Sequence, residues 1–163
     1  MSTQVSRRSL ELQAWVGLLR THAAVTRQLD RELVQEHGLT INDYEVLLRL
    51  SRADDRMMRR VDLAEQVLLS PSGITRLLDG LERSGCVTKA ACRTDARVVY
   101  AKLTDKGAKR LAAASESHLA SVRALFGERF TEEELEAFAS FLDRLPQVPG
   151  ATAEDCAPTE TES

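Results

Sequence analysis

At Gly85 the apolar residues of this chain change their spacing from a helical repeat to strict alternation, and that change restricts the fold more than any other feature. Before it, Ile74, Leu77, Leu78 and Leu81 recur at i, i+3, i+4 and i+7, the stripe of a half-buried helix. Ser70 offers an N-cap oxygen, Pro71 stands where a missing N–H is harmless, and Gly85 stands where a C′ residue is needed, so the helix is predicted from Pro71 to Ser84. After Gly85, Val99, Ala101 and Leu103 alternate with Val98, Tyr100 and Lys102, which predicts a hairpin with a polar tip at Arg93, Thr94, Asp95, Ala96 and Arg97.

The outward face of the helix begins with small residues. A base edge or phosphate is approached closely only past short side chains, and Ser70, Ser72, Gly73 and Thr75 sit at the N-terminus, whose free N–H groups favour phosphate. Arg76 and Arg83 supply the longer reach. Read alone, both arginines could be solvated charges, with Asp79 supporting Arg83 as an i, i+4 pair. The hairpin favours nucleic acid instead: a cationic tip with Arg93 and Arg97 suits an arm that tracks phosphates or enters a minor groove. Asp95 can hold the Arg97 guanidinium in one direction by a charge-assisted bond.

Charge is distributed accordingly. The chain of 163 residues has a formal net charge of −3, which argues against a general nucleic-acid binder. Residues 70–110, however, hold nine Lys/Arg against four Asp/Glu, residues 1–69 ten against ten, and residues 111–163 three against eleven. A duplex would be drawn to the helix and hairpin and kept away from the rest.

At these residues the chain resembles the MarR family of winged helix-turn-helix transcriptional regulators. The resemblance rests on LLSPSGITRLLDGLERSG for the recognition helix, D-A-R at Asp95 to Arg97 for the wing, LTDKG at Leu103 to Gly107, and GLTINDYEVLLRL upstream; it covers about Leu10 to Leu145. It implies a mainly helical fold with a small β-hairpin, and a homodimer that binds a palindromic operator in double-stranded DNA, usually as a repressor. Release by a small molecule or an oxidant is also implied. Many members have a basic residue between the wing Asp and Arg; Ala96 here leaves Arg97 as the main candidate for minor-groove insertion.

Around this segment the apolar stripes are too dispersed for one compact core. A first helix, about Ser9 to Glu36, carries Leu12, Trp15, Val16, Leu19, Ala23 and Leu29; the segment after Thr104 carries Leu111, Leu119, Val122, Leu125 and Phe126. A last helix opens at Thr131 and is expected to bury Leu135, Phe138, Phe141, Leu142 and Leu145. Helices at both ends of a chain are most simply explained by interlocking with a second subunit, although folding back on one monomer is the alternative. The expected division is 1–37 for an N-terminal dimerisation helix, 38–110 for the DNA-binding domain, 111–145 for C-terminal dimerisation helices, and 146–163 for a disordered acidic tail. Within the domain, Thr40 or Asn42 caps a helix burying Tyr44, Val46, Leu47 and Leu50, and a further helix turns Leu63, Ala64, Val67 and Leu68 inward. Met57 and Met58 read as core filling or as a short strand against the hairpin.

Enzyme readings fail on inventory, for there is no Gly-rich phosphate loop, HExxH or nucleophile elbow. His22, His37 and His118 are scattered, and Cys86, Cys92 and Cys156 lack metal-ligand spacing, so neither a metal nor a cofactor is expected. No apolar run reaches a membrane span and no signal segment opens the chain, which predicts a cytoplasmic protein. Cys92 stands next to Arg93, where a cation could lower its pKa and allow redox sensing. The resemblance favours a small aromatic or anionic effector in the cleft between the dimerising helices and the winged-helix domain. Trp15 and His22, seven residues apart, could line it, with Arg20 or Arg27 neutralising an anion, and Asp62 matches in position a ligand residue of the family's urate-responsive branch. A different class remains open: a winged helix whose basic face meets an acidic protein.

Overall fold

The computed structural model describes the backbone of residues 2–146 and the side chains of residues 9–146. The expected acidic tail beyond Pro146, with Cys156, lies outside the described residues. Among the described residues six α-helices, one 3-10 turn (Asp54–Arg56, before β1) and three strands occur, in the order α1 (Ser2–His37), α2 (Ile41–Arg52), β1 (Met57–Arg59), α3 (Arg60–Gln66), α4 (Pro71–Arg83), β2 (Val87–Ala91), β3 (Val99–Leu103), α5 (Asp105–Gly127) and α6 (Glu132–Leu142). The fold is mainly α with a small antiparallel sheet of order β1-β3-β2. Met58 pairs with Ala101 and Ala90 with Tyr100, so Met57 and Met58 do form a strand against the hairpin.

Local chemistry places the helix ends. Thr40 caps α2 in a reciprocal box, accepting from Asp43 N–H at 3.1 Å while its own N–H donates to the Asp43 carboxylate at 2.9 Å. Ser70 Oγ accepts from Gly73 N–H at 3.1 Å with Pro71 in the first turn of α4, and Gly85 closes the helix at φ +77°, a conformation open to a residue without Cβ. The α1 helix starts earlier than predicted, at Ser2, and α5 runs unbroken through residue 110, where a domain boundary was expected.

Leu47, Leu50, Leu63, Ile74, Leu78, Cys86, Val87 and Ala101 form the core under the sheet, each essentially inaccessible to solvent. Each large apolar side chain buried there contributes about 1.5–3 kcal/mol relative to exposure. The LT-x-x-G sequence is part of this joint. Thr104 Oγ1 donates to Gly85 O at 2.7 Å and accepts from Gly107 N–H at 3.0 Å, and a Cβ at Gly107 would lie 2.1 Å from Cys86 O. Only glycine lets α5 approach the exit of α4 so closely.

Two expectations about burial change. Leu68 does not face inward: α3 ends at Gln66, and Leu68 occupies the turn at φ +53° with 72% of its surface exposed. The left-handed conformation falls on Leu68 itself, directly after the buried Val67, and turns its side chain out of the stripe. Nor does α6 bury its apolar face within the chain, for Phe138, Phe141 and Leu145 remain exposed, as do Leu12, Trp15, Val16 and Leu19 of α1.

Candidate nucleic-acid interface

One surface combines the start of α4 with the β2–β3 wing. On α4, Ser72, Arg76 and Arg83 are exposed and Gly73 and Thr75 partly so, while Ile74, Leu78 and Leu81 face the core. The Ser70 oxygen is engaged as cap, 3.2 Å from Ser72 Oγ, and Thr75 donates its hydroxyl to Pro71 O at 2.7 Å. The Thr75 proton is thus committed to Pro71, and of the Ser70 and Ser72 hydroxyls one donates to the other, which leaves a single proton of the pair able to turn to a phosphate.

At the wing tip the Arg97 side chain is 94% exposed. Asp95 Oδ1 accepts from Arg97 N–H at 3.0 Å and from Arg97 Nε at 3.4 Å, which closes a tight loop around one carboxylate oxygen. The guanidinium's Nη groups stay free of that contact. Arg93 and Ala96 are also exposed.

A contact that the sequence did not suggest joins helix and wing. Lys89 Nζ of β2 meets the Asp79 carboxylate at 2.5 Å and Glu82 Oε2 at 2.9 Å, and Lys89 N–H donates to Glu82 Oε1 at 3.3 Å. The Asp79–Arg83 carboxylate pair considered from helical spacing is replaced by this arrangement, and Arg83 Nε instead donates to the Asp79 backbone carbonyl at 3.2 Å. The hydrogen bond to Lys89 holds Asp79 below the usual carboxylate range, and bonds to Asp79 and Glu82 raise Lys89. One ammonium shared by two carboxylates thus cancels one of the two negative charges on this face of α4 and leaves a net charge of −1. Behind the contact, Arg60, Thr75, Leu78, Lys89 and Val99 line a cleft of about 280 Å³.

The Cys92 thiol lies 3.2 Å from Thr94 Oγ1. Its pKa is lowered first by that hydroxyl and then by the Thr94 and Asp95 backbone, with Arg93 not among the causes, so the expected source of the shift is corrected. The residues expected to line an effector cleft are less unified. Trp15, 56% exposed, and the exposed His22 share one face of α1, seven residues returning to within about 20° on a helix. Arg20, five residues beyond Trp15, stands about 140° round the helix, beside Leu12, Gln13 and Val16. Asp62, in the first turn of α3, accepts two bonds from Arg59 at 2.7 and 2.8 Å. Among the described residues no group of His, Cys, Asp or Glu could hold a metal ion, and no helix is long and apolar enough to cross a membrane.

Comparison with known proteins places this geometry. A family model described as transcriptional regulator SarA/Rot matches residues 28–113, more than half of the chain. The chain is similar to the HTH-type transcriptional regulator MhqR of Bacillus subtilis, at 26% identity over 82% of this chain and 90% of the relative. Similarity to the transcriptional repressor YetL of the same organism is 31%, over 69% of this chain and 70% of the relative. Among solved structures, AbsC, a MarR family regulator of Streptomyces coelicolor, superimposes with a TM-score of 0.72 at 33% identity, over 81% of this chain and 88% of that one. A second MarR family regulator of that organism, determined in complex with DNA, gives a TM-score of 0.76 at 25% identity, over 83% and 84%.

Proposed function

This chain belongs to the MarR and SarA/Rot group of winged helix-turn-helix transcriptional regulators, and from that premise we propose that it works in the cytoplasm as a homodimer on an inverted-repeat operator in double-stranded DNA, as a repressor. The observation that carries the dimer is the open apolar face of the terminal helices, where Leu12, Trp15, Phe138 and Phe141 lie exposed within one chain. Surfaces of this kind on a folded protein mark interfaces. A second copy related by a two-fold axis covers them isologously and sets two α4 helices side by side. The repressor reading is supported by the similarity to YetL.

Each protomer would lay the start of α4, from Ser70 to Arg76, in the major groove, with Arg83 near phosphate. The wing would place Arg97, aimed by Asp95, in the adjoining minor groove, with Arg93 on its rim. A small aromatic or anionic effector beside Trp15 and His22 would act without touching DNA, by favouring a spacing of the two α4 helices that no longer fits consecutive major grooves. Selection of bound fragments from random or genomic DNA, followed by an effector screen on the selected site, tests this. Recovery of an inverted repeat supports it; recovery of no sequence preference at any salt concentration overturns it.

The lowered pKa of Cys92 at the wing base favours a second reading of control, through oxidation of its thiolate. Mild peroxide should then release DNA from the wild type but not from Cys92→Ser. Equal responses would dismiss it.

A further inference from the structure

Arg110 on α5 stands between two ends of the chain that the DNA-binding unit depends on. Its Nε and Nη2 donate to His37 O at 3.2 and 2.7 Å, and Nη2 also donates to Gly38 O at 3.1 Å, so the guanidinium closes the C-terminus of α1. A cation at these carbonyls complements the negative end of the helix. The other arm, Nη1, reaches the buried Cys86 sulfur at 3.6 Å. Cys86 is the residue immediately after Gly85, where α4 ends, and its N–H donates to Leu81 O at 2.9 Å. The His37–Gly38 turn is where the chain leaves α1 for α2.

We propose that Arg110 is a positioning residue for operator recognition: its two-armed contact fixes α4 relative to the α1/α5 pair, and so sets the separation between the two recognition helices of a dimer. The proposal rests on the dimeric operator reading given above. The mechanical argument is that the exit of α4 at Gly85 and Cys86 already meets the start of α5 through backbone carbonyls, at Thr104 and Gly107. Those contacts leave the exit untied to α1. Arg110, three residues beyond Gly107, grips the same Cys86 by its side chain and is the group that links it to the end of α1. The planar guanidinium suits this task because its donors diverge in a fixed fork; a lysine ammonium in its place could reach the α1 carbonyls but would lack the second arm.

A spacer series on the selected operator, with half-sites moved apart by single base pairs, reads this role directly. In the wild type a shift of one base pair from the best spacing should weaken binding by about 10-fold or more, and in Arg110→Gln by about 3-fold or less, consistent with a stiff joint becoming compliant. Arg110→Lys should recover thermal stability close to that of the wild type yet keep the relaxed spacing dependence, which a merely stabilising role would not do. If Arg110→Gln retains the wild-type penalty, or if Arg110→Lys restores stability and spacing preference together, the proposal is overturned. A wild type indifferent to spacing would overturn the dimeric operator reading itself.

Discussion

In the proposed operator complex Arg97 and Asp95 divide one task at the wing tip, the arginine meeting DNA and the carboxylate aiming it through the 3.0 and 3.4 Å contacts to its N–H and Nε. Arg97→Ala should weaken operator binding by about 1–3 kcal/mol and reduce the salt dependence by about one counterion, with the fold intact because the side chain has no core contact. Asp95→Ala should weaken binding too, although it removes negative charge beside phosphate; tighter binding measured in a salt titration would contradict the aiming role. Leu68 offers a different kind of test. It holds φ +53° without burying its side chain. Leu68→Gly should therefore raise the midpoint of thermal unfolding, the relief of left-handed strain, about 1 kcal/mol, outweighing the added freedom of the unfolded chain. His118 sets a pH dependence, its pKa lowered by burial against the Tyr44 ring, 4.8 Å between centroids, and partly offset by Glu32. The folded state disfavours the imidazolium, so stability is full above the ordinary histidine pKa, about 6.5, and declines as pH falls from there towards the depressed folded value. Chemical denaturation across that window should show a smaller decline in His118→Gln than in the wild type.

Among the elements, α4 and the β2–β3 hairpin were legible because their signals are local. Ser70, Pro71 and Gly85 mark the helix within its own span, and the alternation from Val99 to Leu103 marks the strand. The Lys89 bridge was not legible, since Asp79 and Glu82 lie ten and seven residues away and meet Lys89 only after the chain reverses at Gly85. Helical spacing offered Asp79 a nearer cation, Arg83, and the fold chose the other. The turn before β1 was equally hidden: Asp55 and Arg56 both take φ +53° with no glycine to announce it. The bridge carries an element-scale prediction, because Lys89→Met would free two carboxylates on α4 and loosen the wing against it. Operator binding should fall by about 10-fold or more, and adding Asp79→Asn and Glu82→Gln should recover the electrostatic part while the wing stays loose. Full recovery in the triple variant would show that Lys89 acts by charge alone.

For the whole molecule, the apolar faces of α1 and α6 were visible in the sequence as stripes, but a stripe does not name what covers it. The structure shows them open within one chain, with Phe141 60% and Trp15 56% exposed, so the apolar residues α6 was expected to bury are not covered by this chain, and the alternative of terminal helices folding back on their own monomer loses support. The positive field of residues 70–110 and the acidic excess beyond them were legible because charge is additive along a segment. Effector residues were the least legible. Trp15 and His22 share a face of α1, whereas Asp62 of α3 is engaged by Arg59 at the end of β1, and a pocket assembled from several elements leaves no periodic mark in the chain. Phe141→Asp should shift the solution mass from dimer towards monomer at low micromolar concentration and weaken operator binding with it. The central claim, two recognition helices and two wings presented by one symmetric dimer, meets its most direct test in hydroxyl-radical footprinting on the selected operator. Two-fold symmetric protection is expected, with the half-site centres about 10 to 10.5 base pairs apart or a multiple of that, and with minor-groove protection on the outer flanks that disappears in Arg97→Ala. Protection of a single asymmetric half-site, unchanged by Arg97→Ala, would contradict it.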